Sequence, residues 1–468
     1  MLIKGTFVHT PRLGDLEILE DYLLAVGNDG FITHFRPVGS PESIELLRDH
    51  AAETTTVLTG SFLLPTFCDL HLHAPQFLYQ GTGLDLPLMQ WLDEYALKAE
   101  ERLDADKILA KRVYERLARR LLQNGTGTVM LFGTIKEETN LILAEAMQSA
   151  GVRAFVGKLS MDISSRPTYV EASAEASLSS AKSFVDQCRH MMEQVPLHLR
   201  RIEPVLTPRF VPTCSDELLG SLGDLSCLES LRVQSHLAEA HDQVEWVRSV
   251  RGAEDIDIFD RYNLLNPRTV QAHCTFLKKP DLSRMVAAGS SIAHCPLSNV
   301  YFSTEPFPLR EALSLHIKVG LGTDIAGGYS IDIMNAMRHA VTVSRIRESS
   351  AQAKHEKDTD DSQDTGTTYK TLAIDWKESL YLATRGGAEA LTLPAKSGTF
   401  EVGSFFDAQL IQLVDPVSRS GVGALDFFDL ETNGDGDVKL NQDMLEKWWC
   451  IGDTRNRVGM WVQGVKVL

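Results

Sequence analysis

The stretch SFLLPTFCDLHLHAPQ (residues 61–76) runs from an apolar segment into two histidines one residue apart, His71 and His73. Side chains two apart on a strand point to one face, so both imidazoles project together where the strand ends. Nitrogen donors at that spacing suit one transition-metal ion. An HxH pair also arises as hydrogen-bonded core groups, so a metal reading needs further ligands at other strand ends.

Seven more apolar, β-rich runs follow: GTVMLFGT, VRAFVGKLSM, IEPVLTPRF, RVQSHLAE, TVQAHC, SSIAHCP and KVGLGTD. Longer segments with helical spacing separate them, such as DADKILAKRVYERLARRLLQNG, where Gly125 suits a helix stop. Eight short runs between helices predict a (β/α)8 TIM-type barrel over residues 65–395. Polar residues collect at the ends of the runs: His71, His73, Arg209, His236, Glu239, His273, His294 and Asp324. Barrel enzymes carry their chemistry on that rim.

Residues 1–64 and 396–468 read as short strands and turns, with Asn28-Asp29-Gly30 as a hairpin signal. The two ends are expected to combine into a small β-sandwich domain. Residues 349–370 are polar and charged and read as a mobile insertion. ETNGDGDVKLNQ (431–442) has Asn433, Asp435, Gly436 and Asp437 in the register of a calcium loop, but Glu431 and Gln442 stand where Asp and a bidentate Glu belong. It reads as an exposed polar turn.

The chain has 468 residues, 43% of them apolar and 23% charged, the profile of a globular protein. A formal charge of −17 disfavours a nucleic-acid partner, which requires a basic face. No run of about 18 apolar residues or signal-like h-region occurs, so no membrane association is expected. The seven cysteines are scattered without a CxxC pair. A soluble, cytoplasmic protein in a reducing compartment is expected.

His236 supplies a third imidazole, and Glu239, three residues on, can reach a bound water as a proton carrier. Asp324 ends a strand among glycines, placed to ligate the same ion or to accept the water's proton. His273 suits proton handling better than ligation. His294 stays open between the site and barrel packing.

HxH, HxxE, a later single His and then GTD, in that order over residues 71–324, resembles the metal-dependent amidohydrolase superfamily. The resemblance implies the same barrel and two-ended β domain. Members with two metals bridge them by a modified lysine on the fourth strand; here that strand ends VLTPRF, which is similar to the one-metal deaminase branch. HAPQ, LDLPLMQWLDEY and TPRF, with SHLAEAHDQVE, SIAHCPLSN, GLGTDIAGGYS and GDTRNRVGMWVQG, narrow the similarity to members that hydrolyse guanine. The lead-in Pro65-Thr66-Phe67-Cys68-Asp69 departs from the pattern, with threonine in place of glycine.

By that resemblance His71, His73, His236 and Asp324 bind one zinc ion per subunit, and Gln76, Arg209 and Phe210 hold guanine. His73, His236, Glu239, His273 and Asp324 border the substrate. Glu239, His273 and Asp324 serve the reaction of guanine with water, and the protein is a homodimer. Residue chemistry agrees: a guanidinium and an amide match the ring's acceptors and N–H groups, and an aromatic side chain packs on its face. Other amino-substituted rings (8-oxoguanine, a triazine, cytosine, a modified adenosine) are the nearest alternative. An inactive assembly barrel would have lost ligands, and none is lost. The HxE…PCxxC pattern of the other zinc deaminases is missing.

Overall fold

The computed structural model describes residues 1–359, 371–432 and 436–468. Eight parallel strands, Phe67–His73, Thr126–Phe132, Arg153–Ser160, Ile202–Pro208, Arg232–Leu237, Thr269–His273, Ser291–His294 and Val319–Leu321, pair in chain order. The eighth returns to the first: Asp324 N–H donates to the His71 carbonyl at 2.8 Å, and His73 N–H to the Ile325 carbonyl at 3.0 Å. Each strand falls within an expected run except the second, which starts one residue earlier, at Thr126. Both faces of such a barrel are covered, which is why these strands read as continuous apolar runs.

Outside the strands, apolar spacing sets the helices. In the helix Lys107–Gln123, Leu109, Ala110, Val113, Tyr114, Leu117, Ala118, Leu121 and Leu122 form one buried stripe. The Asp106 side chain caps it by accepting from Ile108 N and Leu109 N. It stops at Gln123, and Gly125 takes a φ of +81° on entry to the next strand. The threonine that departs from the family lead-in is accommodated locally. A Cβ on Gly127 would lie 2.4 Å from Thr66 Oγ1, so glycine there leaves room for it.

Both chain ends contribute to one mixed sheet, ordered Val465–Lys466, Arg457–Val462, Ala408–Gln412, Ser61–Pro65, Leu2–His9, Glu17–Val26, Ile32–Pro37, with Thr54–Thr56 beside Leu2–His9. Its centre is thin, because Leu2–His9 and Ser61–Pro65 pair only at Phe7 and Leu63. Ile3, Leu24 and Ile32 from one half share a core with Leu63, Phe406 and Ala408 from the other.

The segment 349–370 begins as the last turns of the helix Ile333–Thr359, whose residues 349–354 are exposed; residues 360–370 lie outside the described ones. Asn433 and Asp435 of the calcium-like stretch also lie outside them. Thr432 and Val438 flank it with an antiparallel bridge.

Candidate active site

The strand ends deliver the expected residues to one buried point. His71, His73 and His236 each present a ring nitrogen within 4.8 Å of the others. Asp324 Oδ1 lies 3.2 Å from His71 Nε2 and 3.6 Å from His73 Nε2. His273 Nε2 sits between two carboxylates, 3.6 Å from Glu239 Oε1 and 3.8 Å from Asp324 Oδ2. Three of these positions adopt positive φ or adjoin one that does: His273 (+68°), Asp324 (+50°), and Glu239 after Ala238 (+46°). Strained backbone of this kind persists where surrounding structure over-determines it, as at functional sites.

Hydrogen bonds behind the cluster aim it. His236 Nδ1 lies 2.6 Å from the Arg209 carbonyl, an acceptor, so Nδ1 carries the proton and Nε2 presents its lone pair inward. His273 Nδ1 lies 2.9 Å from Asn299 Oδ1, which turns Nε2 inward in the same way. Asp69 receives the backbone N–H groups of His71 (3.3 Å) and Thr323 (3.0 Å) and the Thr323 hydroxyl (2.5 Å). That carboxylate fastens the first strand to the eighth beside His71, His73 and Asp324; burial pushes its pKa up to about 7. Phe132 lies beneath the imidazoles, its ring 4.7–4.8 Å from those of His71, His73 and His236.

The donor set fits a divalent metal ion. His71 Nε2, His73 Nδ1 and His273 Nε2 are buried without a hydrogen-bond partner. Burial, with neighbouring imidazoles adding to it, holds His71, His73 and His236 far below the ordinary histidine range, so they are neutral at pH 7 with lone pairs free. Three neutral imidazoles and one carboxylate can hold zinc, iron or manganese. Cys295 approaches His71 and His273, but burial and the nearby acids push its thiol far up, so it stays protonated. Chelation should therefore lower the melting temperature by several degrees and stoichiometric metal should restore it, since a ligand of the native state stabilises by mass action. A melt indifferent to chelator on protein verified to be metal-free would rule the cluster out as a metal site.

Beside the cluster, His73, Gln76, Arg209, Phe210, Glu239 and Asp324 line a cavity of about 30 Å³. That is room for roughly one water. Trp91 and Phe302, ring centroids 5.1 Å apart, close it together with Leu88 and Leu92. Phe210 meets His236 edge-on at 6.1 Å. His294 packs its ring on Phe307 at 5.1 Å and belongs to none of the ligand groups found among the described residues.

Glu100 is the residue that sequence reasoning missed. Fully buried, it accepts from Arg209 Nη1 at 2.5 Å and from Gln76 Nε2 at 3.3 Å. Gln76 Oε1 in turn accepts from Ala326 N–H at 3.0 Å, so part of its hydrogen-bonding capacity is already used in orienting it. A signal existed: Ala96, Leu97, Glu100 and Leu103 share one buried stripe, and an acid in that stripe needs a buried cation.

Residues 62–466 match the amidohydrolase family. The chain belongs to that family. As an amidohydrolase it is 35% identical to a guanine deaminase of Dictyostelium discoideum, over 100% of this chain and 98% of the relative. It is 34% identical to the guanine deaminase of Homo sapiens, over 100% and 96%. Among solved structures, that of guanine deaminase from C. acetobutylicum with bound guanine in the active site superposes with a TM-score of 0.83 at 27% identity, covering 100% and 99%.

Proposed function

We propose that this amidohydrolase is a zinc-dependent guanine deaminase, converting guanine and water to xanthine and ammonia. One observation carries the reading. His73, His236, Glu239 and Asp324 line one cavity with Arg209, Gln76 and Phe210, and the buried His71 completes the cluster beside His73, His236 and Asp324. Full-length relatives that are guanine deaminases support it.

His71, His73, His236 and Asp324 would hold the ion, which when bound supplies Lewis acidity and brings the pKa of a water towards about 7. Guanine lies against Phe210, with Arg209 donating to its acceptors and the remaining Gln76 N–H to another. Glu239 accepts the proton of the attacking water, whose oxygen adds to C2. His273, held by Asn299, lies between Glu239 and Asp324 and steadies the charge that develops. Glu239 or Asp324 returns that proton to the exocyclic amine, the C2–N bond breaks and ammonia leaves, while the second water proton moves from the added oxygen to ring N3 as the C2 carbonyl forms.

One zinc per subunit, a homodimer and a cytoplasmic place in guanine breakdown complete the proposal. Among the described residues no helix is long and apolar enough to cross a membrane. Metal analysis and sedimentation test the first two.

The direct test follows the ultraviolet spectrum of guanine with zinc-loaded protein while assaying ammonia, with a chelated control. Equimolar xanthine and ammonia that disappear on chelation are expected. No conversion by protein that holds its metal would reject guanine and move the search to other amino-substituted rings.

A further inference from the structure

At the end of the barrel away from the histidines, the starts of the third, fourth and fifth strands and the small sheet border a half-open cavity of about 690 Å³. That size is within the range of small-molecule sites. Its charge runs against that of the chain. Four guanidinium groups, from Arg153, Arg200, Arg201 and Arg232, line it against only Asp29 and Glu203, on a protein of net −17.

Two of the four are neutralised. Arg153 holds Asp407 through two bonds of 2.6 and 3.2 Å, and Arg232 meets Glu203 at 2.6 Å. Arg200 donates only to the Val195 and Glu193 carbonyls, and Arg201 only to the Val462 carbonyl. Neither forms an ion pair with a carboxylate among the described residues.

The wall also contains unmet polar atoms. Arg201 is 8% exposed and Gln463 5% exposed, yet Arg201 Nε and Gln463 Oε1 have no partner. A buried donor and a buried acceptor left open beside one cavity are destabilising until something completes them. Flat apolar surface adjoins them. Phe31 and Phe405 stack at 4.1 Å, and Phe155 lies 4.8 Å beneath the Arg232 guanidinium.

We propose that this cavity binds a nucleoside monophosphate. Two guanidiniums that form no ion pair among the described residues, Arg201 feeling Asp407 only at longer range, match a phosphate dianion. The Arg153 guanidinium lies over the Phe405 ring at 5.0 Å, so Phe31 offers the remaining aromatic face to the base. The Gln463 oxygen accepts from a base N–H or a ribose hydroxyl. The site is independent of the guanine chemistry at the other end of the barrel.

Isothermal titration of the full-length, metal-loaded protein tests it, using guanosine 5′-monophosphate, uridine 5′-monophosphate, guanosine and inorganic phosphate as separate titrants. Both monophosphates are expected to saturate at one per chain, with guanosine and phosphate each at least about tenfold weaker. Arg201→Gln and Arg200→Gln should each weaken the monophosphates about tenfold, through loss of a charge-assisted bond. Arg200 is only half-buried, so Arg200→Gln tests the site even where Arg201→Gln fails to fold. No saturable binding of either monophosphate overturns the proposal. So does binding unchanged by Arg200→Gln, which would place the nucleotide elsewhere, and so does phosphate alone binding as tightly, which would leave a bare anion site.

Discussion

Glu239→Gln should bind its full complement of metal and lose guanine turnover by roughly 100- to 10,000-fold, the range for removing a general acid–base. Glu239 Oε1 faces His273 Nε2 and the carboxylate lies in the small cavity, while its backbone is fixed separately. Its N–H donates to Gln243 Oε1 at 2.8 Å, and its carbonyl accepts from the Thr275 hydroxyl at 2.6 Å. Glutamine therefore keeps shape and position and removes only the ability to take and return a proton. By themselves, burial and the added charge of Asp324 raise the Glu239 pKa above the usual carboxylate range; a divalent ion held beside it would act in the opposite direction and favour the carboxylate that takes the proton. The measurement is kcat by xanthine formation together with metal content on the same sample. Undiminished kcat at full metal content would remove Glu239 from proton transfer.

Glu100→Ala should destabilise the fold by about 3–5 kcal/mol, because it leaves the Arg209 guanidinium buried and unpaired. Both partners are enclosed, Arg209 at 2% and Glu100 at 0% side-chain exposure. Little solvent is at hand to replace the lost carboxylate. The same change frees Gln76 Nε2, so surviving protein should bind guanine more weakly, with a raised KM. The double variant Glu100→Leu with Arg209→Met separates the two consequences. Replacing a buried pair by apolar groups of similar size is often neutral or stabilising, so its melting temperature should return close to that of the unaltered protein while guanine binding stays lost. Urea denaturation of the two variants and the parent measures the first effect, and steady-state kinetics the second. A Glu100→Ala protein as stable as the parent would show that the pair is not a buried, desolvated one.

Glu100 also marks the limit of what the chain order reveals. HxH at 71 and 73 was legible because alternation along a strand fixes which side chains share a face, and His236, Glu239 and Asp324 because they stand at or just past the ends of other apolar runs. The helices were legible from the apolar stripe of segments such as Lys107–Gln123. Placing chemistry at the ends of apolar runs then located the rim of the barrel, since those runs can only be strands covered on both faces.

Periodicity states that a residue faces inward; it does not state whom it meets there. Glu100 is 109 residues from Arg209, and Asp69 is 254 from Thr323. Phe132 was read as part of an apolar strand, and only closure of the barrel sets its ring against three imidazoles. His294 obeyed the same positional rule as its neighbours but turned to Phe307. The identities and order of the proposed ligands were thus determined by the sequence, through local spacing. The partners that hold those side chains, the contact of Trp91 with Phe302 at the mouth, and the arginine-lined cavity below were decided by the tertiary structure. Each of these joins elements far apart in the chain, whose meeting depends on how the whole barrel closes.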